Sequence, residues 1–446
     1  MLLIDWVKLE LRRRVTKLLL APSPSRRKKT REKREKKRRA ENKPHQVFYL
    51  HQVDDPYSHL CCQILDQLEN SYDIELIPLV VGTPPPSSTP EVEMLKKHSI
   101  EDATVIAPYY GLTFGTSETD IEPENIKIAQ SILLGTEQES FAKISLNVGE
   151  ALWRNDTEKL KTLQKNAAIL SDEEISESIN INNQKQKQLG HYFGGVFAYE
   201  GECYGGIDRV PFLEERLIAL GVNKFDQLSI LKRRSSKDKL PLKLDGISLE
   251  VLFSARSPYS YLALPQLIEF RKRYPVTIVY RPILPMVMRG MVINREKLFY
   301  ILSDCTRIAE KKGIPFGNII DPLGKAVERC YSLFKFTKEK GKEEDYFNAF
   351  LKAVWSEGQH GYLDKTIKNV VEKIGLNWGE AKKELDNNDW RKEIERNRLA
   401  LYEVGKWGPP TMILKNQDKK VILSVWGQDR IWLIEETLYL MQERNK

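Results

Sequence analysis

The chain has 446 residues, of which 41% are hydrophobic and 30% are charged, and its formal net charge is +8. This is the composition of an ordinary globular protein, and no apolar run approaches the roughly 20 residues that a membrane-spanning helix needs. Five cysteines form no Cys-x-x-Cys pair, and six histidines show no metal-ligand spacing. We therefore expect a cytoplasmic protein without disulfides or a metal site.

The positive charge is concentrated at the N-terminus. Residues 1–45 carry 17 Lys and Arg against 5 Asp and Glu, a net of +12, so the rest of the chain sums to about −4. We predict that residues 1–44 form a basic tail, partly helical or disordered. Its charge is compatible with two partners, an anionic membrane surface or a nucleic acid. The first would make the protein peripheral to a membrane. A solvated tail without a partner is an equal alternative.

The first predicted domain follows this tail. An apolar run at 47–50 predicts a buried strand, which leads into Asp-Pro-Tyr-Ser-His-Leu at 55–60, where a helical pattern begins. A second strand is predicted at 74–81. Residues 45–231 are thus predicted to form one domain, and the polar segment 232–246 a linker.

The second predicted domain, residues 247–446, repeats this order of elements. A strand leads into Ser-Pro-Tyr-Ser-Tyr-Leu-Ala at 257–263, the start of a helix, and a second strand follows. A long helical middle separates these elements from two late strands and a final helix, which is an α/β arrangement. The predicted strands are 249–253, 276–280, 411–414 and 420–425, and the predicted helical regions are 258–273, 297–404 and 431–442.

Three motifs recur in the same order in both domains. The opening motifs lie 202 residues apart, and a tryptophan follows each by 98 residues, Trp153 after Asp55 and Trp355 after Ser257. Near the end of each copy stands a third match, Gly-Ile-Asp-Arg against Gly-Gln-Asp-Arg. A repeat of this length predicts the tandem duplication of a whole domain rather than a solenoid.

The two copies differ where chemistry would take place. A group at a strand-to-helix junction lies at the positive end of the helix, where an anion is stabilised. Ser257 can serve such an anion, whereas Asp55 would repel it, although either residue can cap its helix. We therefore predict that the first domain is a degenerate copy and that the candidate active site belongs to the second.

Four motifs of the second domain together indicate a family. They are Ser-Pro-Tyr-Ser-Tyr-Leu-Ala at 257–263, Ala-Val-Trp-Ser-Glu-Gly at 353–358, Trp-Gly-Pro-Pro-Thr at 407–411 and Gly-Gln-Asp-Arg at 427–430. These resemble the 2-hydroxychromene-2-carboxylate isomerases, relatives of kappa-class glutathione transferases in the DsbA-like thioredoxin superfamily. The resemblance implies two tandem thioredoxin-like domains, each with a helical insertion. It also implies glutathione as cofactor and the cis–trans isomerisation of a conjugated, aromatic small molecule.

The resemblance assigns roles to individual residues. Ser257 would hydrogen-bond the sulfur of glutathione and favour its thiolate, which would add to a conjugated double bond, permit rotation and leave. Ser257 as a simple helix cap is the structural alternative. The cofactor-binding positions implied by the resemblance are Pro410, with a cis peptide bond, Thr411, Gln428 and Asp429. We predict a substrate pocket from Tyr259, at the start of the first helix, and from Met288 and Asn294, in and near the loop after the second strand. Met288 belongs to a methionine-rich stretch that suggests an adaptable apolar wall, and the family has an asparagine in this loop.

Two other functions are weighed against this one. A non-catalytic thioredoxin-like binding or scaffold protein, tethered by its basic tail, would also retain two such domains. A thiol–disulfide oxidoreductase would need Cys-x-x-Cys at positions 257–260, where this chain has Ser-Pro-Tyr-Ser. We therefore favour an enzyme and rank the oxidoreductase last.

Overall fold

The computed structural model describes residues 24–117, 119–226, 230–235 and 246–444. Contacts between residues divide the chain into two compact units. Among the described residues, the N-terminal unit comprises those between 29 and 235 together with 294–300, and the C-terminal unit comprises 24–28, 246–293 and 301–444. Segment 294–300, which we predicted to be part of the second domain, thus packs with the N-terminal unit. Most of the predicted linker, 232–246, lies outside the described residues.

The C-terminal unit contains a four-stranded sheet of order β6-β5-β7-β8. β5 and β6 are parallel, because a helix crosses between them, whereas β7 runs antiparallel to β5 and β8 antiparallel to β7. The central strand β5 is almost completely buried, as its apolar sequence Leu-Glu-Val-Leu-Phe predicts. The strands are β5 (Ser248–Phe253), β6 (Thr277–Pro282), β7 (Thr411–Lys415) and β8 (Val421–Trp426).

Helices fill the sequence around these strands. The site helix, Pro258–Arg273, connects β5 to β6, and the helix Ile431–Arg444 follows β8. Between β6 and β7 the chain forms an inserted helical region of seven helices in its described residues. These are Arg295–Lys312, Lys325–Ser332, Phe334–Glu339, Glu343–Trp355, Asp364–Lys373, Trp378–Glu384 and Trp390–Glu403.

The N-terminal unit has a sheet of the same design, with order β2-β1-β3-β4. β1 and β2 are parallel, and β3 and β4 follow in antiparallel pairs. The strands are β1 (Gln46–His51), β2 (Glu75–Val80), β3 (Val196–Tyr199) and β4 (Glu202–Gly205). The helix Pro24–Ala40 belongs to this unit from residue 29 onward. The further helices are Pro56–Cys62, Leu65–Ser71, Val92–Ile106, Pro123–Leu134, Phe141–Trp153, Thr157–Gln164, Asp172–Leu189 and Val210–Ile218. The predicted α/β class is therefore confirmed.

Equivalent hydrogen bonds recur in the two units. Tyr57 Oη donates to Asp102 Oδ2 at 2.8 Å, and Tyr259 Oη donates to Asp304 Oδ2 at the same distance. Each pair joins the helix after the first strand to the first long helix of the insertion. A duplicated domain would retain such contacts, but the duplication itself stays a prediction.

Within the described residues, no helix combines the length and the apolar character that crossing a bilayer requires. The five cysteines all lie in this part of the chain, and each is buried and outside any disulfide.

Two helices of the N-terminal unit approach each other closely through a glycine. Gly149, on the helix Phe141–Trp153, faces the ring of His59 on the helix Pro56–Cys62. A Cβ atom at position 149 would overlap that ring. Burial lowers the pKa of His59 to about 4, so the ring is neutral at physiological pH. Because a side chain at position 149 would overlap the His59 ring, this packing requires a glycine there.

Gly149→Ala should destabilise the N-terminal unit, although alanine is the better helix former by about 1 kcal/mol. The added methyl group overpacks the contact with His59, which typically costs about 1–3 kcal/mol. Urea unfolding of the variant should show a lower midpoint. In a His59→Ala background the ring is gone, and the same glycine substitution should then cost nothing. An equal cost in both backgrounds would contradict the proposed clash.

Candidate active site at the start of the site helix

Ser257 lies at the junction between β5 and the site helix. Its Oγ accepts the N–H of Ser260 at 3.2 Å and so caps the helix. Pro258 occupies the first turn, where the backbone has no need of an N–H donor. The side chain of Ser257 is half-buried, at the positive end of a 16-residue helix whose dipole favours an anion.

The loop before β7 reaches the same point. Ser257 Oγ donates to the carbonyl oxygen of Pro409 at 3.2 Å, and the peptide bond between Pro409 and Pro410 is cis. The structure therefore brings together Ser257 and Pro410, which were predicted from opposite ends of the domain. The neighbouring Thr411 is buried, and its Oγ1 donates to the carbonyl of Gly408 at 2.8 Å. The Thr411 hydroxyl thus holds the loop in shape.

A third segment, the turn after β8, adjoins this loop. The N–H of Gly427 donates to the Pro410 carbonyl at 2.9 Å. Gln428 is 2% exposed; its Oε1 accepts from Gln266 Nε2 at 2.9 Å, and its Nε2 donates to Asp429 Oδ1. Because both ends of this amide are occupied, Gln428 orients the carboxylate of Asp429. Asp429 itself is partly exposed, just before the last helix.

Tyr259 is held by a buried ion pair. Its hydroxyl donates to Asp304, which is fully buried and bonded to Arg307 at 2.7 Å. The Tyr259 hydroxyl is therefore committed to the helical insertion, and the ring, which is partly exposed, is the part of this side chain that a ligand can contact.

Met288 lies in a short 3₁₀ turn, Met286–Arg289, and is partly exposed. The next residue, Arg289, donates from Nη2 to the carbonyl of Trp407 at 2.7 Å. Trp407 stands two residues before Pro409, so this bond fixes the methionine-rich turn to the loop that contacts Ser257. Met288 thus precedes the residue that binds the loop at 407–410, which we call the cis-proline loop.

Asn294 does not join this group. It belongs to the N-terminal unit, where its Nδ2 donates to Ser88 Oγ at 2.6 Å. Its Oδ1 accepts the N–H of Lys297 at 2.8 Å and so caps the helix that follows. The predicted substrate-pocket role therefore has no support in its position, because its side chain is used for capping and for a contact with Ser88.

Sequence reasoning missed two contributors to the site. Arg289 is a lone cation among apolar residues, which was the only signal of its role. Trp426 covers the loop: a Cβ at Gly408 would overlap its indole, and its ring lies 4.5 Å from that of Trp407 between centroids. The glycine in Trp-Gly-Pro-Pro was the signal for this close approach.

The corresponding junction of the N-terminal unit is closed by internal bonds. Asp55 Oδ2 accepts from both the N–H and the hydroxyl of Ser58, each at 2.8 Å. Gly195 takes the place of Pro410, since its carbonyl accepts the N–H of Gly206 at 2.7 Å. Its φ of +61° is closed to proline, which requires a φ near −65°. Asp208, which corresponds to Asp429 in the Gly-x-Asp-Arg motif, accepts a hydrogen bond from Tyr110 Oη at 3.0 Å.

The comparisons with known proteins concern the C-terminal half. Residues 248–439 match the family of DSBA-like thioredoxin domains. The C-terminal half is a DsbA-like thioredoxin domain. The predicted fold is thus confirmed for this half.

Two curated relatives are 2-hydroxychromene-2-carboxylate isomerases. The protein of Pseudomonas putida is 26% identical over 205 residues, which are 44% of this chain and 97% of the relative. The protein of Sphingobium xenophagum is 24% identical over 199 residues, 43% of this chain and 97% of the relative. A solved structure of 2-hydroxychromene-2-carboxylate isomerase matches with 26% identity and a TM-score of 0.38, and covers 44% of this chain and 97% of its own. The predicted resemblance is thereby confirmed over the C-terminal domain.

The ionised form of Asp55 lowers the stability of the N-terminal unit. Burial raises the pKa of Asp55 to about 6, and the hydrogen bonds from Ser58 offset only part of this effect. In an unfolded chain the same carboxyl titrates near a pH of about 3.9. The folded state therefore binds more protons between these two values, and stability falls as the pH rises through that window.

Asp55→Asn should stabilise this unit at pH 7, because it keeps an acceptor oxygen for Ser58 and removes the charge. We expect a gain of about 1–2 kcal/mol at pH 7 in urea unfolding and almost no change at a pH of about 3, below both pKa values, where the aspartate is largely protonated in both states. Asp73→Asn, at an exposed aspartate of the same unit, is the matched control and should have little effect at either pH. A gain that did not depend on pH would rule out this explanation.

Proposed function

We propose that the C-terminal domain is a glutathione-dependent isomerase or transferase that acts on a conjugated small-molecule electrophile. One observation carries the proposal: the Ser257 hydroxyl lies at a helix N-terminus and against the cis-proline loop, in the half of the chain that is similar to isomerases. When bound, glutathione would supply a thiolate that adds to a conjugated double bond, allows rotation about it and leaves.

The residues around Ser257 fit this cofactor. The serine hydroxyl, which donates to the Pro409 carbonyl, can turn to donate to a sulfur, and the helix N-terminus favours negative charge there. The partly exposed Asp429 carboxylate, oriented by Gln428, suits an ammonium group. Met288 and the ring of Tyr259 supply an apolar wall for a conjugated substrate.

The cis-proline loop departs from the usual pairing surface in one respect. A residue that pairs with an added strand normally uses both its N–H and its carbonyl. Here that residue is Pro409, which has no N–H, so it offers its carbonyl alone. We therefore expect glutathione to bind with one hydrogen bond fewer than a non-proline residue would allow.

The two alternatives are weaker for this domain. A dithiol oxidoreductase would need two cysteines at the start of the site helix, and this domain has none there. Burial also raises the pKa of Cys330 far above its usual range, which disfavours a reactive thiolate at that position. A purely structural role suits the N-terminal unit better, because Asp55, Gly195 and Asp208 are all bonded within that unit. We propose that this unit is a retained structural partner.

Ser257→Asp should separate helix capping from activation of glutathione. Asp55 shows that an aspartate can cap this kind of junction, so we expect the variant to fold. Its carboxylate would repel a thiolate, and kcat/KM for the glutathione-dependent isomerisation of a conjugated electrophile should fall about 100-fold or more.

Ser257→Asn is the matched control, because it caps the helix without a charge and retains an N–H donor; its loss should be clearly smaller. Thermal unfolding with and without millimolar glutathione provides a readout independent of turnover. The absence of any glutathione-induced shift in the wild-type protein, or an unchanged shift and rate in Ser257→Asp, would refute the proposed function.

Pro409→Ala should strengthen glutathione binding, because it restores a backbone N–H beside the cofactor. One additional hydrogen bond is worth about 1 kcal/mol, so the dissociation constant measured by calorimetry should fall about fivefold. Pro315→Ala, at an exposed proline elsewhere in the unit, should leave it unchanged. Equal or weaker binding by Pro409→Ala would show that the cofactor does not pair with this loop.

A further inference from the structure

The basic helix, Pro24–Ala40, has no buried residue, yet its arginines hold it against the N-terminal unit. Arg31 donates from Nε and Nη2 to the two carboxylate oxygens of the buried Glu202, each at 2.6 Å. Arg34 donates to the carbonyl of Glu200. A bidentate pair of hydrogen bonds from arginine to a buried carboxylate is stronger than an ordinary surface ion pair. This part of the predicted tail is therefore docked on the fold.

The opposite side of this helix presents lysines. Lys29, Lys33 and Lys36 are exposed and follow one another by four and three residues, which places them on one face. They form a ridge about 10 Å long at the helical rise of about 1.5 Å per residue. In the part of the chain that the structure describes, none of the three has an ion pair.

Arg31 and Arg34 on one side of the helix and the three lysines on the other have different roles. The arginines at 31 and 34 bind the protein and account for docking, so the lysine ridge contributes nothing to it. Three neighbouring ammonium groups repel one another and are tolerated at some cost unless an anion lies against them. The chain beyond residue 45 is negative overall, so the lysine ridge is a local positive patch. Such a patch indicates an anionic partner outside the protein.

We propose that Lys29, Lys33 and Lys36 form a docking surface for an anionic phospholipid membrane. Lysine is a compact point charge that suits a field of headgroups, and each one near such a surface contributes about 1 kcal/mol. In nucleic-acid complexes, arginine forms bidentate hydrogen bonds to guanine and to phosphate groups. Arg31 and Arg34 are bound to the protein instead, which disfavours a nucleic acid as the partner. No aromatic residue stands on the helix to stack on bases.

The sequence before this helix strengthens the choice of a membrane. Residues 1–23 lie outside the described structure, but their sequence mixes apolar residues such as Val15, Leu18 and Leu19 with Arg12 and Lys17. Stable attachment to a membrane generally requires an apolar signal together with a polybasic one. The lysine ridge would provide the polybasic signal, and it follows the mixed segment in the sequence.

The test is the binding of the full-length protein to sedimented vesicles. Vesicles of phosphatidylcholine with about one third phosphatidylglycerol should bind it, pure phosphatidylcholine should not, and added salt should weaken binding. The triple variant K29Q/K33Q/K36Q should reduce the partition coefficient about 100-fold, at roughly fivefold per lysine.

The matched control removes three exposed lysines of the same unit that lie on separate elements, K97Q/K143Q/K165Q, and should change binding far less. Equal losses in both triple variants would overturn the proposal, as would a failure to bind anionic vesicles. Binding to duplex DNA that is lost in K29Q/K33Q/K36Q, without vesicle binding, would overturn it in favour of a nucleic acid.

Discussion

The hydrogen bond from Ser257 to the carbonyl of Pro409 joins segments 152 residues apart. It connects the start of the site helix, after the central strand β5, to the loop that enters β7. The turn after β8 meets the same loop through Gly427 and Pro410. Segments next to β5, β7 and β8 thus meet at one end of these strands, and the helical insertion lies between β6 and β7 in the chain. The site that we propose for this domain depends on this convergence.

The N-terminal unit shows what the same architecture becomes without that bond. Its sheet has the same strand order, and the same tyrosine-to-aspartate contact supports its first helix. At the junction, however, Asp55 caps the helix with a charge, and Gly195 adopts a backbone conformation closed to proline. A helix cap needs only an acceptor oxygen, whereas binding a thiolate also requires a donor and no negative charge. Capping therefore survives the change from serine to aspartate, whereas the thiolate binding that we propose for Ser257 would not.

Much of the fold was predictable because its signals are local. Apolar runs marked β1 and β5, and the Ser-Pro and Asp-Pro pairs marked the helix starts. The site was predictable only in part. Ser257 and Pro410 follow from short motifs, but Arg289 acquires its position from a turn that packs against Trp407. Gln428 had the motif of a ligand contact, yet the structure buries it and uses its amide to orient Asp429.

The sequence by itself determined the α/β class, the repeated order of elements, the residue that caps each first helix and the concentration of positive charge at the N-terminus. These depend on residues close together in the chain, where periodicity and capping act. Only the tertiary structure decided which residues meet. It placed Asn294 in the N-terminal unit, brought the cis-proline loop to Ser257, and turned Arg31 and Arg34 of the basic helix towards the protein while leaving Lys29, Lys33 and Lys36 exposed. Such contacts depend on packing between segments far apart in the chain, and no local pattern records them.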